Sequence, residues 1–68
     1  MLEDGYVAIP NVSVVADGLA LVCEVDGKRV GVPRTALHPH SEVRKVGDRG
    51  SLTIIAWVAR DLGIEPPR

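Results

Sequence analysis

Two Asp-Gly dipeptides nine residues apart, Asp17-Gly18 and Asp26-Gly27, restrict this chain more than any other feature. Each lies between runs rich in Val, Leu and Ala. Asp-Gly between such runs signals a two-residue hairpin turn, because both central residues must accept positive φ. Read this way, the two turns join three strands in antiparallel register. Around Asp26-Gly27, Val25 faces Lys28, Glu24 faces Arg29, Cys23 faces Val30, Val22 faces Gly31 and Leu21 faces Val32. Around Asp17-Gly18, Ala16 is expected opposite Leu19, Val14 opposite Leu21 and Val12 opposite Cys23.

Side chains alternate across a strand, so these pairings place Val12, Val14, Leu21, Cys23, Val30 and Val32 on one face, the expected core. The opposite face carries Ser13, Val15, Ala20, Val22, Glu24, Arg29 and Gly31, small and only half apolar. The cross-strand pair Glu24–Arg29 adds a few tenths of a kcal/mol at about the usual scale for such pairs.

Pro33 lacks a donor and is expected to end the third strand. From Arg34 to Val46 the pattern is irregular, with Leu37, Val43 and Val46 as apolar anchors and Pro39 breaking any long helix. Gly47-Asp48-Arg49-Gly50 reads as a tight turn into a fourth strand from Ser51 to Ile54 or Ile55. A short helix follows over Ile55–Leu62, with Trp57, Val58, Ala59 and Leu62 apolar and Gly63 as its terminating glycine. Trp57 is expected to dock this helix on the sheet.

The fold class is therefore mostly β: a small antiparallel meander or partly open barrel of about four strands with one short C-terminal helix. Residues 1–68 form a single domain, with an N-terminal segment at 1–10, the sheet at 11–55, the helix at 55–63 and a tail at 64–68. A domain of this size buries only roughly 60% of the surface its unfolded chain exposes. Its 46% hydrophobic content comes mostly from Val, Leu, Ile and Ala, with Tyr6 and Trp57 the only aromatic residues. A core of such small pieces makes self-association an expectation.

The single cysteine, Cys23, excludes an internal disulfide framework. The acidic start, Met1-Leu2-Glu3-Asp4-Gly5, is unlike a secretory signal, and the Leu52–Ala59 run is too short to span a bilayer. The expectation is a cytoplasmic protein without a membrane partner. Its net charge of −1 argues against a general nucleic-acid binder, yet the charge is unevenly distributed. Residues 1–27 carry five acids and no Lys or Arg, whereas residues 28–49 carry six cations against Glu42 and Asp48. The halves either neutralise one another across the sheet or leave a basic contact face.

Arg34, Arg44, Lys45 and Arg49 are the candidate nucleic-acid or anion-binding residues, since all lie outside the regular strands. Their side chains would neutralise phosphates, but no aromatic residue interleaves them for base stacking. His38-Pro39-His40 is the only histidine constellation and makes His38 and His40 weak metal candidates. No Cys-x-x-Cys accompanies it, and Cys23 is expected to face the core. Neither Ser41 nor Cys23 has the local signature of a nucleophile paired with a base. No catalytic residues and no cofactor are expected, so the chain reads as non-enzymatic.

From Val25 to Ile64 the chain resembles a group of small phage- and prophage-associated proteins without an assigned activity. The matching residues are Val25-Asp26-Gly27, Val30, Val32-Pro33-Arg34-Thr35, Leu37-His38, Ser41-Glu42-Val43, Gly47-Asp48, Gly50, Leu52, Trp57, Ala59 and Gly63-Ile64. That resemblance implies a phage or mobile-element accessory protein encoded near replication and recombination genes, and the first functional expectation is a non-enzymatic binding module acting through protein contacts beside a nucleic-acid machine. Members of the group usually carry Trp where this chain has Gly31, a position expected to face away from the core. The stretch Gly27–Arg34 with Val46-Gly47-Asp48 also resembles the swapped-hairpin transition-state-regulator fold of antitoxins and repressors. It implies an intertwined DNA-binding homodimer, and ranks second because Pro39 interrupts the helix that fold requires.

Overall fold

In the computed structural model, which describes residues 5–64, β1 spans Tyr6–Asp17, β2 Leu21–Val25, β3 Lys28–Val32 and β4 Arg49–Ile55. A single 3-10 turn occupies Arg34–Ala36, and α1 spans Ala56–Leu62. The strands form one open antiparallel sheet in the order β3-β2-β1-β4. This is the mostly-β, four-stranded fold with one C-terminal helix that the sequence implies. The first three strands make the meander; β4 returns beside β1, which is the Greek-key order. Regular structure begins at Tyr6, ahead of the expected sheet start at residue 11, and residues 1–4 and 65–68 lie outside the described region.

The Asp26-Gly27 turn is as expected. Asp26 has φ 51° and Gly27 φ 80°, the paired positive values of a type I′ turn. Every predicted β2–β3 partner is found. The β1–β2 connection differs. Neither Asp17 nor Gly18 has positive φ, so that turn does not form; Gly18, Leu19 and Ala20 make a longer loop and Asp17 pairs with Leu21. Ala16 then faces Val22, and after an irregularity at Val15, Val14 faces Cys23. An odd change in loop length alone would turn every side chain of β1 over. The bulge at Val15 adds one residue back and restores parity. Val12, Val14, Leu21, Cys23 and Val32 are accordingly all buried, as expected, despite the shifted partners.

A second bulge lies at Pro10-Asn11, between the pairs Ile9–Leu52 and Val12–Gly50. Asn11 takes φ 59°, which Asn tolerates better than most residues. This bulge brings Ile9 onto the same face as Val12 and Val14.

Val12, Leu21, Cys23, Val32, Val43, Leu52 and Ile54 have no exposed surface, and Ala36, Val58, Ala59 and Ile64 join the same core. Val30, at the outermost strand, is only partly buried. Residues 37–43 run along the outer edge of β4. Leu37 bridges to Ile54, the His38 N–H donates to the Thr53 carbonyl at 2.9 Å, and the Val43 N–H donates to Ser51 at 3.3 Å. Pro33 ends β3 as expected, and Pro39 limits helix in this region to the 3-10 turn.

Two expected core residues are exposed. Val46 is 52% exposed because its turn docks through backbone: the Gly47 N–H donates to the Val14 carbonyl, and the Val14 N–H donates to Asp48. Trp57 is 59% exposed. At about 100° per residue, Val58, Ala59 and Leu62 share one side of α1 and Trp57 falls on the opposite side. The helix ends as expected at Gly63, with φ 73°. Its N–H donates to Arg60 and that of Ile64 to Ala59, the Schellman arrangement, with Ile64 buried beneath.

Candidate functional site

The four candidate cations are not equivalent. Arg49 opens β4 opposite Ser13, and Arg44 and Lys45 stand on the loop that leads into it. Asp48 holds that loop, its Oδ2 accepting the backbone N–H groups of Arg44 at 3.0 Å and Lys45 at 3.2 Å. The guanidinium and ammonium groups of these three exposed residues project from a backbone that is itself tied down. Arg34, beyond the end of β3, instead forms an ion pair with Asp17 at the end of β1. That contact joins the acidic first half to the basic segment. The structure thus groups Arg44, Lys45 and Arg49 and gives Arg34 an internal carboxylate partner.

The histidine loop lies at the other end of β4. His38 packs edge-on against Tyr6, ring centroids 4.5 Å apart, and His40 is tilted over His38 at 5.3 Å. Nδ1 of His38 accepts the backbone N–H of His40 at 3.0 Å, which leaves the proton of the neutral ring on Nε2. Among the described residues no three His, Cys, Asp or Glu side chains gather to hold a metal ion.

Ser41 is buried, and its hydroxyl is occupied: it donates to the Val43 carbonyl at 2.9 Å and accepts the Thr53 N–H at 3.1 Å. It fastens residues 41–43 to β4. Cys23 faces the core, and burial pushes its thiol pKa up from the ordinary value. A raised pKa lowers the thiolate population that nucleophilic or metal chemistry requires.

The feature that sequence reasoning missed is the aromatic end. Tyr6 is 52% exposed and Trp57 59% exposed, so both aromatic residues of the chain are spent on its surface. Tyr6 pairs with Ile55, and the Ala56 N–H donates to the Gly5 carbonyl at 2.9 Å. Trp57 therefore leaves the sheet at the end where Tyr6, His38 and His40 lie. Helical periodicity carried the signal for Trp57, whereas Tyr6 needed the β1–β4 pairing. The cationic loop stands at the opposite end, about 20 Å away for a seven-residue strand.

Among the described residues no helix is long and apolar enough to cross a membrane. Compared with known proteins, the chain matches no family model, no curated protein and no solved structure.

Proposed function

We propose that this chain is a small non-enzymatic binding module that acts through protein contacts, with the Tyr6–Trp57 end as its recognition surface. One observation carries this reading: a core built wholly from aliphatic residues and Cys23, beside two exposed aromatic residues at one end of the sheet. Tyr and Trp offer large rigid contact area at low entropic cost, and they are enriched among residues that dominate binding energy. The adjoining His38 and His40 supply polar groups at the rim. The resemblance to phage-associated accessory proteins agrees with this role and suggests a cytoplasmic partner belonging to a nucleic-acid machine.

The test is quantitative capture from cells that naturally make the protein, comparing the native chain with Tyr6→Ala/Trp57→Ala and Arg44→Ala/Lys45→Ala. A partner lost with the aromatic pair and retained with the cationic pair supports the reading. The reverse pattern contradicts it.

A second reading, a DNA-binding homodimeric regulator or antitoxin, draws on the grouping of Arg44, Lys45 and Arg49 and extends to Arg34. Phosphate binding through such groups weakens steeply with salt. Fluorescence anisotropy of labelled DNA at two salt concentrations examines it. Binding that falls with salt and disappears in Arg44→Ala/Lys45→Ala would move the function to the cationic end.

A further inference from the structure

The two edges of the sheet are treated differently. Residues 37–43 cover the outer edge of β4, whereas β3 is the terminal strand and no further backbone pairs with it among the described residues. Antiparallel ladders alternate hydrogen-bonded and non-bonded pairs, and a two-residue I′ turn closes on a bonded pair. Val25–Lys28 is that closing pair, so Val30 and Val32 also turn their backbone groups towards β2. Arg29 and Gly31 are left with N–H and C=O directed outward.

We propose that β3 pairs with β3 of a second copy of this chain, antiparallel and in one register, with Val30 opposite Val30. A two-fold axis normal to the sheet generates this pairing and keeps both cores on the same side. In this register Arg29 of each copy faces Gly31 of the other, and the outward N–H and C=O of both residues are satisfied. The neighbouring registers fail for identifiable reasons. Sliding one way sets Arg29 against Arg29, like charges directly opposed. Sliding the other way sets Arg29 against Pro33, which has no N–H to offer.

Side chains fit the same register. Gly31 is exposed, and a Cβ there would approach only Ala20, at 3.7 Å, so the facing Arg29 has room to lie across it. Each Arg29 has Glu24 of its own chain opposite on β2, which balances the charge at the seam. Val30, the partly buried residue of the core face on this strand, covers its remaining apolar surface with its counterpart. The short seam gives a concentration-dependent dimer and not an obligate one.

The experiment is sedimentation of the full chain from micromolar to millimolar concentration, together with disulfide trapping. Non-bonded pairs bring facing Cβ atoms to about 4.5–5.5 Å, so in a Cys23→Ala background, which removes the thiol facing Val30 on β2, Val30→Cys should form a disulfide-linked dimer under oxidised glutathione while Arg29→Cys does not. Gly31→Pro should be folded and monomeric, because the donor it removes points away from β2. A native chain that stays monomeric throughout overturns the proposal, as does a folded Gly31→Pro that still dimerises. Linking of Arg29→Cys as readily as Val30→Cys overturns the register. If Gly31→Pro does not fold, the two cysteine variants decide the matter.

Discussion

The Glu42 carboxylate lies directly over Gly50: its Oε1 accepts the Ser51 N–H at 2.8 Å, and a Cβ on Gly50 would stand 2.6 Å from that same oxygen. Gly50 also holds φ 146°, where L side chains are strained. Gly50→Ala should cost about 1–3 kcal/mol, read from urea unfolding. Adding Glu42→Ala should recover the steric part and leave the backbone part, so the two substitutions should not be additive. Strict additivity would mean that the two residues do not meet.

Asp48 should matter to the cationic loop through its structure. Asp48→Ala removes the acceptor shared by the N–H groups of Arg44 and Lys45 and should cost about 1 kcal/mol. Amide exchange at residues 44 and 45 should accelerate, with partial protection returning in Asp48→Asn, which keeps an acceptor oxygen. Unchanged exchange in Asp48→Ala would contradict the assignment.

Leu21 has no exposed surface and opens β2, between Asp17 at the end of β1 and Val32 at the end of β3. Leu21→Ala should cost about 2–5 kcal/mol, enough to unfold a domain of this size near physiological temperature. An unchanged melting temperature would show that the β2 register is wrong.

Cys23 introduces an alkaline limit. Its pKa is raised in the folded state, so the unfolded chain releases the thiol proton first as pH increases. The native advantage is complete below the unfolded thiol pKa of about 8.5 and is lost as pH rises from there through the folded pKa, by at most about 1.4 kcal/mol per pH unit. Unfolding free energies measured between pH 7 and 10 should show this decline in the native chain and a shallower one in Cys23→Ala. Parallel curves would exclude the thiol as the cause.

Trp57 should behave as a surface reporter. Acrylamide should quench its fluorescence nearly as well in the folded as in the unfolded chain, and Trp57→Ala should change stability by within about 0.5 kcal/mol. Strong protection from quenching would return this residue to the core.

The parts of the fold legible in the sequence are those set by local chemistry. Asp26-Gly27 supplies two positive-φ residues where a I′ turn needs them, and the β2–β3 register follows. Gly63 marks the helix end because little else takes the left-handed position so readily. Asp17-Gly18 carries the same dipeptide yet forms no such turn, since the Val15 bulge and the longer loop are set together by β1 lying between β2 and β4. The faces were legible all the same, because alternation depends on parity and two irregularities cancel. The position of β4 beside β1, and with it the Tyr6 end, depends on a long-range return with no local signature. Of the candidate cations, Arg44, Lys45 and Arg49 gather through sequence proximity. Only the tertiary fold could reveal that Arg34 meets Asp17. The residue type of Trp57 points to the core, whereas its place on the helix turns it outward.

Site-specific photo-crosslinking in living cells separates the two ends of the molecule, with a photoreactive residue placed at position 60, one turn from Trp57 and exposed, in one strain and at position 45 in another. A discrete protein adduct is expected from position 60, lost when Tyr6 and Trp57 are changed to Ala, with none of comparable yield from position 45. Nucleic-acid adducts from position 45, with no protein adduct from position 60, would overturn the assignment of the aromatic end as the recognition surface.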